Sequence, residues 1–244
     1  MGLFDFLSKG KDEKSKSSRD VARLERMIAN KLSQNYDRQE AIAELSKMAD
    51  AASSAALLKR FDWMLDPSIT DQEEKESCLN GIVAAGEQAL EPLRHYCKKA
   101  ASLTWPIKVL EGIVPADRIA EELLSLLDQF DTEYTRNVEP KVQLLQVLEG
   151  HPSDEVRIAT EPFLQDAGET VRFNAANTVF AMGDPVSVPA LVAVLETEES
   201  LRVKNRIAAG LTERGWPIPA ELAVACRAGL PPGYALVGDK VERT

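Results

Sequence analysis

The sequence predicts an all-α fold, an α-solenoid of about six stacked helical hairpins, and three observations carry that prediction. Residues 171–196, VRFNAANTVFAMGDPVSVPALVAVLE, read as one complete helix–turn–helix unit. The pattern of its first helix returns 32 residues later in RVKNRIAAGLTERGWP. No sustained alternation of apolar and polar residues precedes the C-terminus, which argues against a sheet-based core.

In the clearest unit, Val171, Ala175, Ala176, Val179 and Phe180 follow helical spacing and form one apolar face. Gly183 closes that helix, because glycine accepts the left-handed conformation at a helix end. Asp184 caps the next helix, Pro185 suits its first turn, and Val188, Leu191, Val192 and Leu195 make a second apolar face. Two short helices cannot bury both faces alone, so the unit requires stacked neighbours.

The other units follow in order. Ala41, Ile42 and Leu45 open one whose second helix is AALLKRFDWML, residues 55–65. Cys78, Leu79, Ile82 and Gly86, then Ala89, Leu90 and Leu93, mark the next. Two central units are looser: Trp105–Ile113 with Ile119–Leu127, and Val142–Leu148 with Val156–Leu164. After the 171–196 unit, Val203, Ile207, Ala208 and Leu211 begin the last, and Gly215 ends its first helix. The units are spaced roughly 31–37 residues apart, as helical repeats are. Asp37 with Glu40, and Asp71 with Glu74, have capping-box spacing at helix starts. Pro106, Pro140 and Pro217 sit where a helix start tolerates proline. Leu230-Pro231-Pro232-Gly233 breaks the final helix. Gly238-Asp239 between short apolar runs then signals a small hairpin, or an irregular cap, over the exposed end of the array. The expected organisation is an N-terminal segment over 1–18, the array over 19–228 and a capping tail over 229–244.

Arg172, Ala175, Ala176, Val179, Gly183, Asp184, Pro185, Val188, Pro189, Leu191 and Leu195 together resemble the short HEAT-like repeats of bacteria, the type named after the phycobiliprotein lyases. The resemblance is strongest over 171–196, good over 74–93 and 203–215, and extends loosely over about 37–228. It implies a solenoid whose surfaces bind other macromolecules. Lyase activity does not follow, because the repeat name records only where the pattern was noticed.

The net charge is −10. The first nineteen residues carry five positive and three negative side chains, so the remainder carries −12. Such a surface repels a phosphate backbone, and generic nucleic-acid binding is not expected. The three cysteines, Cys78, Cys97 and Cys226, are few, odd in number and far apart, which fits core packing in a reducing compartment. No secretory signal is read, and no apolar run approaches the ~20 residues that span a bilayer. A cytoplasmic location is expected.

Residues 1–18, MGLFDFLSKGKDEKSKSS, differ from the rest. Leu3, Phe4, Phe6 and Leu7 form an apolar cluster, followed by a Lys/Ser/Asp/Glu stretch with too little apolar surface to offset its ordering entropy. This segment is expected to be flexible. Its apolar tip either enters a partner groove or a membrane surface, or folds back on the first helix. Membrane contact alone is at most weak and peripheral, with four lysines worth about 1 kcal/mol each near an anionic surface. Phe6 stands where the myristoylation pattern needs Ser or Thr.

Little in the chain points to chemistry. The two histidines, His95 and His151, are isolated, and His95 with Cys97 lies on different sides of a helix, a poor metal pair. Neither is followed by glutamate, so the ligand pairs of HEAT-repeat di-iron hydroxylases are missing. There is no phosphate loop, nucleophile elbow or Cys-x-x-Cys. Carboxylates such as Glu121–Glu122 and Glu196–Glu199 read as solvated helix faces. No catalytic residue, metal site or cofactor is assigned.

Two surfaces stand out instead. In AALLKRFDWML, Leu57, Leu58, Phe61, Met64 and Leu65 share a helix face, which leaves Trp63 on the far side beside Lys59 and Arg60. That cation-flanked tryptophan reads as an interface anchor or as a ring covered by a neighbouring helix. Arg172, Asn174 and Asn177, with Arg202, Asn205 and Arg206 one repeat on, read as a polar ladder between repeats. Arg172 and Arg202 lie near helix N-termini, where a cation is unfavourable unless acidic neighbours pair with it. The functional expectation is a non-enzymatic scaffold or adaptor that binds a protein or peptide along the solenoid. The alternatives are a chromophore- or ligand-handling, lyase-like or chaperone-like protein, or a membrane adaptor using Leu3–Leu7.

Overall fold

A computed structural model describes residues 18–244. Expectations for Leu3, Phe4, Phe6 and Leu7 lie outside the described residues. The fold is all-α, of the α-solenoid class, closed by a small β-hairpin. The chain divides into two compact units, Met1–Ile119 and Ala120–Thr244. Repeats pack on their neighbours, so no central core obliges the whole array to form one body.

The first unit opens with α1 (residues 18–29), whose Val21, Leu24 and Ile28 are buried at helical spacing. Next come α2 (Asn35–Met48), α3 (Ala51–Leu58), α4 (Ser68–Ala84), α5 (Leu90–Cys97) and α6 (Thr104–Ile113). Ala41, Ile42 and Leu45 of α2 are buried, as are Cys78 and Ile82 of α4 and Leu93 and Cys97 of α5. A single left-handed residue, Ala49, ends α2, and Asp50 caps α3 one position later. The Asp50 side chain accepts from the Ser53 N–H, and Ser53 Oγ accepts from the Asp50 N–H. This is the capping box of the unit. Asp37 and Asp71 do not cap: α2 begins at Asn35 and α4 at Ser68, so both aspartates stand inside a first turn.

The segment expected to be helical to Leu65 ends earlier. α3 stops at Leu58, tightens into a 3₁₀ turn over Lys59–Asp62, and leaves Trp63 extended. Arg60 braces the break. Its Nη1 donates to the Trp63 carbonyl (3.0 Å), and its other nitrogens turn inward to carboxylates of α4. Met64, placed on the apolar face by helical spacing, is consequently exposed.

The second unit contains α7 (Ile119–Leu127, its first residue at the boundary), α8 (Glu139–Leu148), α9 (Asp154–Thr160), α10 (Glu169–Met182), α11 (Val188–Thr197), α12 (Leu201–Arg214) and α13 (Ala223–Gly229). The apolar positions read in 171–196 are all buried, Gly183 ends α10 at φ 76°, and Asp184 accepts from the Val186 N–H. Pro185 opens a 3₁₀ turn ahead of α11. Repeats approach closely at Gly210, where a Cβ would stand 2.4 Å from the Phe180 ring. That ring also stacks on Trp216 (centroids 5.5 Å apart). The strands β1 (Tyr234–Val237) and β2 (Lys240–Arg243) pair antiparallel, Val237 opposite Lys240, around Gly238-Asp239. Val241 is buried, and the Ile218 N–H donates to the Asp239 carbonyl (2.6 Å), which fastens the hairpin to the segment after α12.

Candidate functional site

In the first unit the sequence places charges on apolar stripes. Arg38 shares a helix face with Ala41, Ile42 and Leu45. Asp71, Glu74 and Lys75 run into Cys78 and Ile82 on α4. All are buried, and they find one another. Glu74 accepts from Arg38 (Nη2, 2.9 Å) and from Arg60 (Nε, 2.6 Å), while Asp71 accepts from Arg60 (Nη2, 2.7 Å) and Lys75 (Nζ, 2.8 Å). Burial alone would raise the Asp71 carboxyl. Hydrogen bonds from Lys75, Arg60 and the Leu65 N–H, with the charge of Arg60, hold it below its ordinary value. The Trp63 ring lies over the Arg60 guanidinium, 3.9 Å from its carbon, and is half-buried. Arg60 is therefore no open contact. It is 0% exposed, the reverse of the far-side position inferred for it, because the helix ends before Trp63. Of that trio only Lys59 is exposed.

In the second unit the ladder residues mostly reach across elements. Arg172 forks onto Glu198 (2.6 and 2.9 Å) and also donates to the Asp166 carbonyl. Burial opposes ionisation of Glu198, but Arg172 and the Ser200 N–H hold its carboxyl low. Arg202 meets Glu169 (3.2 Å) and covers the Phe173 ring, Arg206 donates to Asn177, and Gln146 donates to Asn174 (3.1 Å). Asn205 does not join. Its amide turns back onto the Leu201 carbonyl of its own helix. These bonds set the approach of α8, α10 and α12, so their donors are already committed.

A larger opening lies elsewhere in this unit. Leu124 and Leu127 of α7, Phe130, and Phe163 of the 3₁₀ turn over Glu161–Gln165 form an apolar groove of about 650 Å³, with Ala159 and Pro162 on one wall and Asp128 and Asp131 at the rim. One wall is the irregular stretch 128–138, and a buried ion pair holds it. Lys141, 1% exposed, donates to Asp166 (2.7 Å) and to the Glu133 carbonyl (3.2 Å). The Ala167 N–H donates to the Thr132 carbonyl (2.9 Å), and Asp166 also accepts from the Gly168 N–H. Sequence reasoning missed both Lys141 and the groove. The available signal was Lys141 itself, a lone cation on the stripe of Leu144, Leu145 and Leu148.

A family model of the PBS lyase HEAT-like repeat matches residues 171–197, the α10–α11 pair. The chain therefore carries a HEAT-like repeat at this pair. No curated protein and no solved structure matches it. Among the described helices, the thiols and the Tyr96 phenol are mostly spent on structure. All three cysteines are buried and unpaired, and burial pushes their thiols up, that of Cys97 to about 12. Tyr96 donates to Asp62 (2.7 Å) beside His95, Lys59 and Lys99, and its phenol is raised by burial and by that carboxylate. Among the described residues no helix is long and apolar enough to cross a membrane.

Proposed function

We propose that this HEAT-like protein is a non-enzymatic scaffold that holds a peptide segment of a partner protein in the Leu124–Phe163 groove. The observation that supports this reading is the pairing of an apolar floor with a carboxylate rim. Leu124, Phe130 and Pro162 leave apolar surface open, and Asp128 and Asp131 stand exposed at the edge. An apolar floor favours Leu, Phe or Met anchors, and the rim favours flanking lysines or arginines. The net charge of −10 acts in the same direction at longer range and disfavours nucleic acid. Thiols held protonated are poor nucleophiles, which agrees with a binding role. Buried, unpaired cysteines suit a reducing cytoplasm, and the repeat type suits a bacterial source.

The test is fluorescence anisotropy with two labelled twelve-residue amphipathic peptides, identical in their Leu/Phe anchors but flanked by lysines in one and glutamates in the other. The lysine peptide should bind at micromolar concentrations, at least tenfold tighter than the glutamate peptide. Equal binding, or none, overturns the reading.

A further inference from the structure

A second groove, in the first unit, lies between α2 and α4. At one end the helices are tied by Arg38 and Glu74, and at the other they nearly touch, since a Cβ on Gly81 would stand 2.1 Å from Ser46 Oγ. Between these points the facing side chains are small. Ala43, Ser46 and Ser77 leave a hollow of about 290 Å³ floored by Ile42, with Gln39 and Glu73 beside it. That size is just below the ~300–1,000 Å³ of small-molecule pockets and suits side chains of a short segment. Ile69, 71% exposed, continues the α4 stripe of Glu73 and Ser77 one turn earlier. Glu40, Glu73 and Glu76 are exposed on the same two helices.

We propose that this groove is the docking site of the chain's own N-terminal segment, with the Leu3–Leu7 cluster in the hollow and Lys9, Lys11, Lys14 and Lys16 along the acidic edge. Chain length and direction carry the proposal. Arg23 pairs with Glu44 (3.4 Å), and a short turn joins α1 to α2, so the two helices run antiparallel. At ~1.5 Å per helical residue, residue 18 stands about one turn past the Ser46 end of the groove. Twelve residues separate it from Phe6. At random-coil dimensions twelve residues span about 19 Å on average, and fully extended at most ~40 Å. The groove lies across a single helix, whose diameter is ~10–12 Å. A tether this short holds its tip at roughly millimolar effective concentration, enough to populate a weak contact. Charge agrees in sign, since residues 1–18 carry four lysines against three acids and the remainder carries −11. The docked segment would cover the apolar surface of Ala43 and Ile69, and any partner of that surface would have to displace it.

Photo-crosslinking of the full chain tests the proposal, with benzoylphenylalanine replacing Phe6. At low micromolar protein, crosslinks should appear at monomer mass and map to residues 39–46 or 69–77. They should fall at least fivefold in Ala43→Arg and again in about 1 M salt, where the screening length is ~3 Å. Ala43 is exposed, so that variant spares the core, and Ser77→Arg on the facing helix should give the same loss. Crosslinks to a second copy, crosslinks to any other region, or yields unchanged by both variants overturn the proposal. None of these outcomes bears on the Leu124–Phe163 groove, which the peptide titration tests separately.

Discussion

Glu74 shows how much rests on single residues in this molecule. It alone neutralises parts of both Arg38 and Arg60, and all three are buried. Breaking such a cluster from one side leaves uncompensated charge and costs about 3–5 kcal/mol. Glu74→Gln should therefore lower the urea-unfolding free energy of the first unit by that order, and a loss below about 1 kcal/mol would contradict the network. Asp71 adds a pH dependence of definite sign. Its carboxyl is lowered on folding, so its contribution is present above the unfolded value of ~3.9 and is lost as pH falls through the lower folded value. Amide exchange of α4 should accelerate as pH falls below about 4, after correction for intrinsic rates, and Asp71→Asn should flatten that trend. The sequence made half of this legible. Arg38 and Lys141 each stand on an apolar stripe, which marks them as buried cations. Their carboxylates, Glu74 and Asp166, lie 36 and 25 residues away, and no local pattern connects them. Asp71 and Glu74 even have the spacing of a cap, because a capping box and an interior i, i+3 carboxylate pair look the same until the helix start is known.

At the scale of elements, helix ends written in strong local code were readable. Gly183 and Gly215 both end helices in the left-handed region, and Asp184 caps where its side chain can reach the Val186 N–H. The end of α3 was not readable, because no glycine or proline marks it and the bonds that brace it come from a tertiary ion network. Close approach between repeats gives a second test. Gly210→Ala would set a Cβ against the Phe180 ring, and overpacking of this kind costs about 1–3 kcal/mol. A thermal unfolding scan should show a clear fall in midpoint, whereas Ala at exposed Arg227 should show almost none. The wall over residues 128–138 depends on Lys141 in the same way. Lys141→Met would free the Glu133 carbonyl and leave Asp166 without its cation. Affinity for the lysine-flanked peptide should drop at least fivefold if that wall shapes the groove.

The described residues form a helical array with apolar grooves between helices of each unit. Architecture was legible because the 171–196 unit and the helix 32 residues later write the same stripe. The Leu124–Phe163 groove was not, since an irregular stretch pinned by Lys141 and Asp166 builds it, and residues of α7, α9 and a 3₁₀ turn meet there only after folding. Charge reversal at the rim should act on binding more than on the fold: Asp128 is exposed, and changing it to lysine should weaken the lysine-flanked peptide at least fivefold with little change in stability, whereas Asp131 also accepts from the Glu133 N–H (3.1 Å). The most direct test of the scaffold account is hydrogen exchange of the full chain with and without that peptide. Binding at the proposed site predicts slowed exchange confined to residues 124–132 and 159–163. Protection centred elsewhere, or no protection at saturating peptide, would contradict it.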